Sequence, residues 1–171
     1  MAEKAKALVG IIMGSDTDLP VMREAAATLA KFGVPFEIDI TSAHRSPSRT
    51  SEYARSARER GLKTIIVGAG GAAHLAGVVA AETTLPVIGV PMPTTSLQGM
   101  DSLLSTVQMP GGIPVATVAI GRSGAVNAAI LAVQIMATAD AELGQKLADY
   151  KQDLAKGVQE KSEKLKREFA L

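Results

Sequence analysis

Five short apolar runs alternate with segments of helical periodicity, and this alternation constrains the chain more than any other feature of its sequence. Leu8-Val9-Gly10-Ile11-Ile12-Met13 is almost continuously aliphatic, as a parallel strand covered on both faces must be. Met22, Ala25, Leu29 and Phe32 then recur at helical spacing, with Pro20 tolerated in the first turn and Gly33 a natural stop. Phe36, Ile38 and Ile40 alternate with Glu37 and Asp39, which predicts a strand nearer the edge of the sheet. A polar loop leads to Pro47 and a charged helix ending at Gly61. Thr64-Ile65-Ile66-Val67 reads as the third strand, followed by a glycine loop and an alanine-rich helix through Ala81. Residues 86–90 form the expected fourth strand and 115–120 the fifth. Between them lies a long segment with a helix expected over 100–107, capped by Asp101. Residues 125–139 read as a buried aliphatic helix.

This order specifies an α/β/α architecture, an open parallel sheet with helices on both faces. Right-handed crossovers make 2-1-3-4-5 the natural strand order. Ligands in such sheets bind beyond the carboxyl ends of the strands, so the loops after strands one to four are the candidate site. The chain of 171 residues fits a single domain, with a core over about 7–138 and a helical extension over about 139–171. In the extension Leu143, Leu147, Tyr150, Leu154 and Val158 step by three or four, continued by Leu165 and Phe169. Such a stripe must pack on its own domain or on a neighbouring subunit. Glu160–Lys164 and Glu163–Arg167 are favourable pairs, while Gly144 and Gly157 predict bends or breaks.

Composition excludes whole classes of chemistry. With no cysteine there is no disulfide framework, thiolate metal site or cysteine nucleophile. A net charge of +1 supplies no field to attract nucleic acid or a membrane surface. The first apolar run is too short for a signal peptide or a span, which points to the cytoplasm. The two histidines lie thirty positions apart with no carboxylate at ligand spacing, so no metal is expected.

Three loops carry candidate chemistry. In Gly14-Ser15-Asp16-Thr17-Asp18, backbone N–H groups at a helix start and adjacent hydroxyls suit a phosphate, and Asp18 suits ribose hydroxyls. Turn and capping chemistry would account for the same letters. Thr41-Ser42-Ala43-His44-Arg45-Ser46-Pro47 places Ser42, His44 and Arg45 at the carboxyl edge of strand two. The Arg45 fork matches anionic oxygens, and an imidazole suits proton transfer near neutrality. A solvated surface pair is the alternative. Gly68-Ala69-Gly70-Gly71-Ala72-Ala73-His74 fits a dinucleotide fingerprint in letters. It stands on the wrong strand for that fingerprint and lacks the acidic partner. The small residues Gly70, Gly71 and Ala72 instead let a ring or a carboxylate lie against bare backbone. His74 is expected in the first turn of the next helix, where it could simply cap or pack.

Taken together, these loops, Pro86-Val87-Ile88-Gly89-Val90-Pro91, Asp101-Ser102-Leu103-Leu104 and Val107-Gln108-Met109-Pro110 closely resemble the class I N5-carboxyaminoimidazole ribonucleotide mutases of purine biosynthesis. The likeness runs from about residue 9 to residue 136. It departs at Ala76, where the family usually has proline, a rigid element this chain lacks. The resemblance implies flavodoxin-like subunits assembled as a homo-octamer, with active sites lined by more than one chain. It implies no cofactor, a small ribonucleotide substrate and functional coupling to a separate ATP-dependent synthetase. It also implies that Ser15, Asp18 and Arg45 bind the nucleotide, with Ser42 a further contact. His44 matches the proton-transfer residue, and His74 a second histidine close to the site. Three rivals stand beside it: a nucleotide- or flavin-binding domain, a class II enzyme using free CO2, and a non-catalytic assembly subunit.

Overall fold

The structure, a computed structural model, describes residues 6–169; the terminal residues 1–5 and 170–171 lie outside it, including most of the polar N-terminal lead. Five parallel strands form one sheet: β1 (Val9–Met13), β2 (Phe36–Ile40), β3 (Thr64–Gly70), β4 (Val87–Met92) and β5 (Ala116–Thr117). Their order is β2-β1-β3-β4-β5, as the alternation predicts. The helices are α1 (Leu19–Lys31), α2 (Pro47–Ala57), α3 (Leu75–Glu82), α4 (Met100–Val107), α5 (Arg122–Ala137) and α6 (Ala141–Glu168). The described residues divide into two compact units, one up to Ala132 and one from Val133.

In the first unit the sheet is coated on both sides. Ile12, Ile65, Val67 and Val87 pack in one cluster with Ala54 and Ala57 of α2 and Leu75, Ala76 and Val79 of α3. Met22 of α1 reaches the opposite face, lying where a side chain on Gly68 would be. Ile11, Ile12, Ile65, Ile66 and Ile88 are fully enclosed. Each such residue contributes about 1.5–3 kcal/mol relative to exposure. At the edge, β2 turns Glu37 and Asp39 toward Arg60 and Arg49, while Ile38 and Ile40 remain exposed.

Four expectations are corrected. β3 runs three residues further than Val67, so Gly68, Ala69 and Gly70 belong to the strand rather than to the loop. They pair with β4 through the register Gly68↔Val90, Ala69↔Pro91 and Gly70↔Met92. β5 is only two residues long instead of six. Val118 N still donates to Gly89 O (3.0 Å), but the next donor the ladder requires is the Pro91 nitrogen, which has no hydrogen. α2 closes at Ala57 rather than Gly61, the intervening residues forming turns.

The fourth correction falls in the second unit, where α6 is one continuous helix through Gly144 and Gly157. Each glycine costs about 1 kcal/mol. Asp140 caps the helix, accepting from Leu143 N at 3.1 Å, and Glu142–Lys146 (2.8 Å), Gln145–Asp149 (2.9 Å) and Gln159–Glu163 (3.0 Å) offset the cost. Glu163 thus pairs with Gln159, and Arg167 donates to the Glu163 carbonyl instead of its carboxylate. Leu143 and Leu147 are buried, whereas Leu154, Val158, Leu165 and Phe169 are exposed. Among the described residues no helix is long and apolar enough to cross a membrane.

The start of α5 meets the sheet at Gly124. A Cβ there would overlap the Ala119 carbonyl, whose carbon lies 2.7 Å from that position. Because the obstacle is backbone, Gly124→Ala should destabilise the protein by about 1–3 kcal/mol. Urea denaturation monitored by circular dichroism measures this.

Candidate active site

The carboxyl ends of β1, β2 and β3, joined by the segment after β4, surround a cavity of about 380 Å³. That is within the range of about 300–1,000 Å³ typical of small-molecule sites. Every residue singled out from the sequence lines it: Ser15, Asp18, Ser42, His44, Arg45, Gly70, Gly71, Ala72 and His74.

The first loop turns through a 3-10 segment, Asp16–Asp18, before α1. Ser15 is its cap: the hydroxyl oxygen accepts from Thr17 N (3.3 Å) and donates to Asp16 Oδ1 (3.0 Å). Asp18 occupies the cap position of α1 but makes no side-chain capping bond. Its carboxyl is almost completely buried. Burial raises its pKa above the ordinary value, hydrogen bonding from the backbone at Ser15 and Gly14 opposes this, and the charge of Asp16 adds to the rise.

The second loop is held by hydroxyls. Ser42 N donates to Ser46 Oγ (3.0 Å), Ser46 N to Ser42 O (2.9 Å), and Thr41 shares a 2.8 Å bond with Thr50. Thr41 N donates to Met13 O at 2.9 Å, tying this loop to the end of β1. Arg45 reaches across to Gly14 O at 2.8 Å, and its backbone N–H donates to Ser42 Oγ at 3.2 Å. The guanidinium therefore stands beside the first loop, with its remaining donors available to an anion.

At the end of β3, where the third loop begins, a Cβ on Gly70 would overlap Thr94 Oγ1. Gly71 takes φ +61°, a conformation that costs glycine little. His74 sits at the cap position, one residue before α3 rather than within its first turn, and neither caps the helix nor packs inside the core. Its Nδ1 lies 2.7 Å from Nε2 of His44, with the rings edge to face at 86° and centroids 4.9 Å apart. One nitrogen must carry the hydrogen and the other the lone pair, so the two imidazoles can exchange a proton across this contact.

Sequence reasoning missed Thr94 and Thr95, which close the cavity from the segment after β4. Two hydroxyls directly beyond a strand's carboxyl end were the available signal. Asp101 does not cap α4. Gly99 takes that place with φ +92°, and Asp101 accepts instead from Thr95 Oγ1 at 2.6 Å. That hydrogen bond holds its carboxyl below the usual range.

A strand-end cavity with an arginine, a buried carboxylate, a histidine pair and bare backbone defines an enzyme-like site for a small molecule. The model of the AIR carboxylase family matches residues 8–157, and the chain belongs to that family. It is 59% identical over 160 residues to the N5-carboxyaminoimidazole ribonucleotide mutase of Pyrococcus horikoshii, covering 94% of this chain and 89% of that one. It is 56% identical over 158 residues to the protein of the same name from Bacillus subtilis, covering 92% and 98%. The crystal structure of Treponema denticola PurE superposes with a TM-score of 0.84 at 30% identity, over 94% of this chain and 99% of that one.

A carboxyl group whose folded pKa is raised favours the folded state when protonated, and that contribution is lost as pH rises. Asp18→Asn should therefore melt at a higher temperature than the native protein at pH 7. The difference should shrink below the ordinary carboxyl value of 3.8. Differential scanning calorimetry at the two pH values checks this.

Proposed function

We propose that this chain is a mutase of purine biosynthesis that converts N5-carboxyaminoimidazole ribonucleotide to 4-carboxy-5-aminoimidazole ribonucleotide. The single observation that carries the mechanism is the His44–His74 contact of 2.7 Å at the rim of a cavity that also holds Arg45 and the bare backbone of residues 70–72. The high identity to enzymes named for this conversion supports the substrate.

The chemistry asks little of the protein beyond placement. The substrate bears a carbamate on its exocyclic nitrogen. Protonation of that nitrogen breaks the N–C bond and releases CO2, leaving an amine conjugated with the ring. C4 of the ring then attacks the retained CO2, forming the new C–C bond, and loses its proton. The proton delivered in the first step equals the proton recovered in the last, so one shuttling imidazole closes the cycle, and His44 is that group. Arg45 and Ser42 hold the phosphate, Ser15 donates beside it, and Asp18 accepts from ribose hydroxyls. Gly71 and Ala72, with no side chain larger than methyl, leave room for CO2 against backbone donors, while Thr94 occupies the space beside Gly70. Holding reactants in place can supply about 7–11 kcal/mol of the barrier.

The working form is a homo-octamer in the cytoplasm, fed by a separate ATP-dependent synthetase that makes the carbamate. Leu97 and the α4 residues Met100, Leu104 and Val107 form an exposed apolar stripe that supports burial against further copies.

His44→Asn should fold normally and still bind the nucleotide, and lose about 10²–10⁴-fold in kcat, the span of general acid–base catalysis. Following the interconversion of the two carboxylated ribonucleotides by ultraviolet absorbance tests this, and full activity in the variant overturns His44 as the shuttle. Light scattering should give an assembled mass near that of an octamer, and Leu104→Lys should lower it.

A further inference from the structure

We propose that Ser105 is a positioning residue for this reaction, its hydroxyl fixing the third loop, and with it His74, against His44. The proposal rests on the reading of the site given above.

α4 has an unusual distribution of side chains. Its inner face is built from hydroxyls, while Met100, Leu104 and Val107 face outward. Ser102, fully buried, donates to Met92 O at 2.9 Å, and Thr106 donates back to Ser102 O at 2.6 Å. Thr106 also lies against Gly89 of β4, its methyl 2.5 Å from where a Cβ would stand. These contacts seat the helix firmly on the sheet. A serine bonded back into its own helix is ordinary, and Ser105 donates to Asp101 O at 2.7 Å in that way.

Its contacts with the third loop are different, and the hydroxyl oxygen also lies 3.4 Å from Gly71 O. The Ser105 oxygen accepts from the backbone N–H of Ala73 at 3.1 Å, across thirty-two positions of sequence. Ala73 is buried, so its N–H needs a partner within the protein. It lies between Gly71, which turns the loop at φ +61°, and His74, whose side chain makes no capping bond. The rigidity of α4 thus passes through one hydroxyl to the residue next to His74. Loss of that acceptor frees Ala73 N–H to seek water, and the loop must shift to reach it. A displacement of about 1 Å at a reacting group can cost about a hundredfold in rate.

The test compares native protein, Ser105→Ala, Ser105→Cys and Ser105→Thr as full chains in the interconversion assay, each with a thermal melt. Ser105 is only half-buried, so the alanine protein should fold. Its kcat should fall about tenfold with KM changed by less than about twofold, because an interaction expressed mainly in the transition state is lost. Ser105→Thr keeps the hydroxyl and should retain most of kcat. Ser105→Cys fills the same space with a poor acceptor, so it makes the same comparison should alanine not fold. Unchanged kcat in both the alanine and cysteine proteins overturns the proposal, as does a rise in KM equal to the fall in kcat. If the native protein itself does not interconvert the two ribonucleotides, the reading of the activity fails instead.

Discussion

The bare carboxyl end of β3 is the constraint on which the rest of the site depends. Gly68 leaves space that the side chains of Met22 and Met92 occupy, with Met22 Sδ and Met92 Cε at 2.6 and 2.9 Å from where its Cβ would be. Gly14 N donates to Gly68 O at 3.2 Å, so the first loop closes directly onto the central strand. Gly70 does the same for the segment after β4, admitting Thr94. A side chain at Gly70 would have to displace Thr94, one of the residues lining the cavity, whereas at Gly68 the flexible ends of Met22 and Met92 would have to move. Close backbone approach converts a sheet edge into a site.

Around that gap the protein uses polar groups that are already committed to one another. The hydroxyls of Thr41, Ser42, Ser46 and Thr50 bond within the second loop and at the start of α2, leaving His44 and Arg45 exposed on a fixed backbone. Asp18 shows the opposite arrangement. It is a buried carboxyl whose desolvation opposes the charged form, retained where a ligand's hydroxyls would satisfy it.

Much of this was legible in the residues. The alternation of apolar runs and helical stripes specified the strand order, and the loops named from it line one cavity. Boundaries were less legible where two elements share the cause. Glycine is a poor strand former in isolation, and Gly68-Ala69-Gly70 extends β3 because β4 pairs with all three residues, with β1 reaching only as far as Gly68. Pro91 shortened β5 from the neighbouring strand, an effect that no reading of residues 115–120 alone contains. The glycines of α6 failed to break it because side-chain pairs along the helix offset their cost.

What the sequence determined by itself is the layered sheet and the chemical inventory at its edge, because periodicity and residue type are local properties. Tertiary structure alone decided that His44 meets His74 across thirty positions, that Thr94 fills the space beside Gly70, and that Ser105 holds Ala73. Those pairings depend on how far neighbouring strands extend and how closely their ends approach. That distance is set by packing across the whole sheet, and no single segment encodes it.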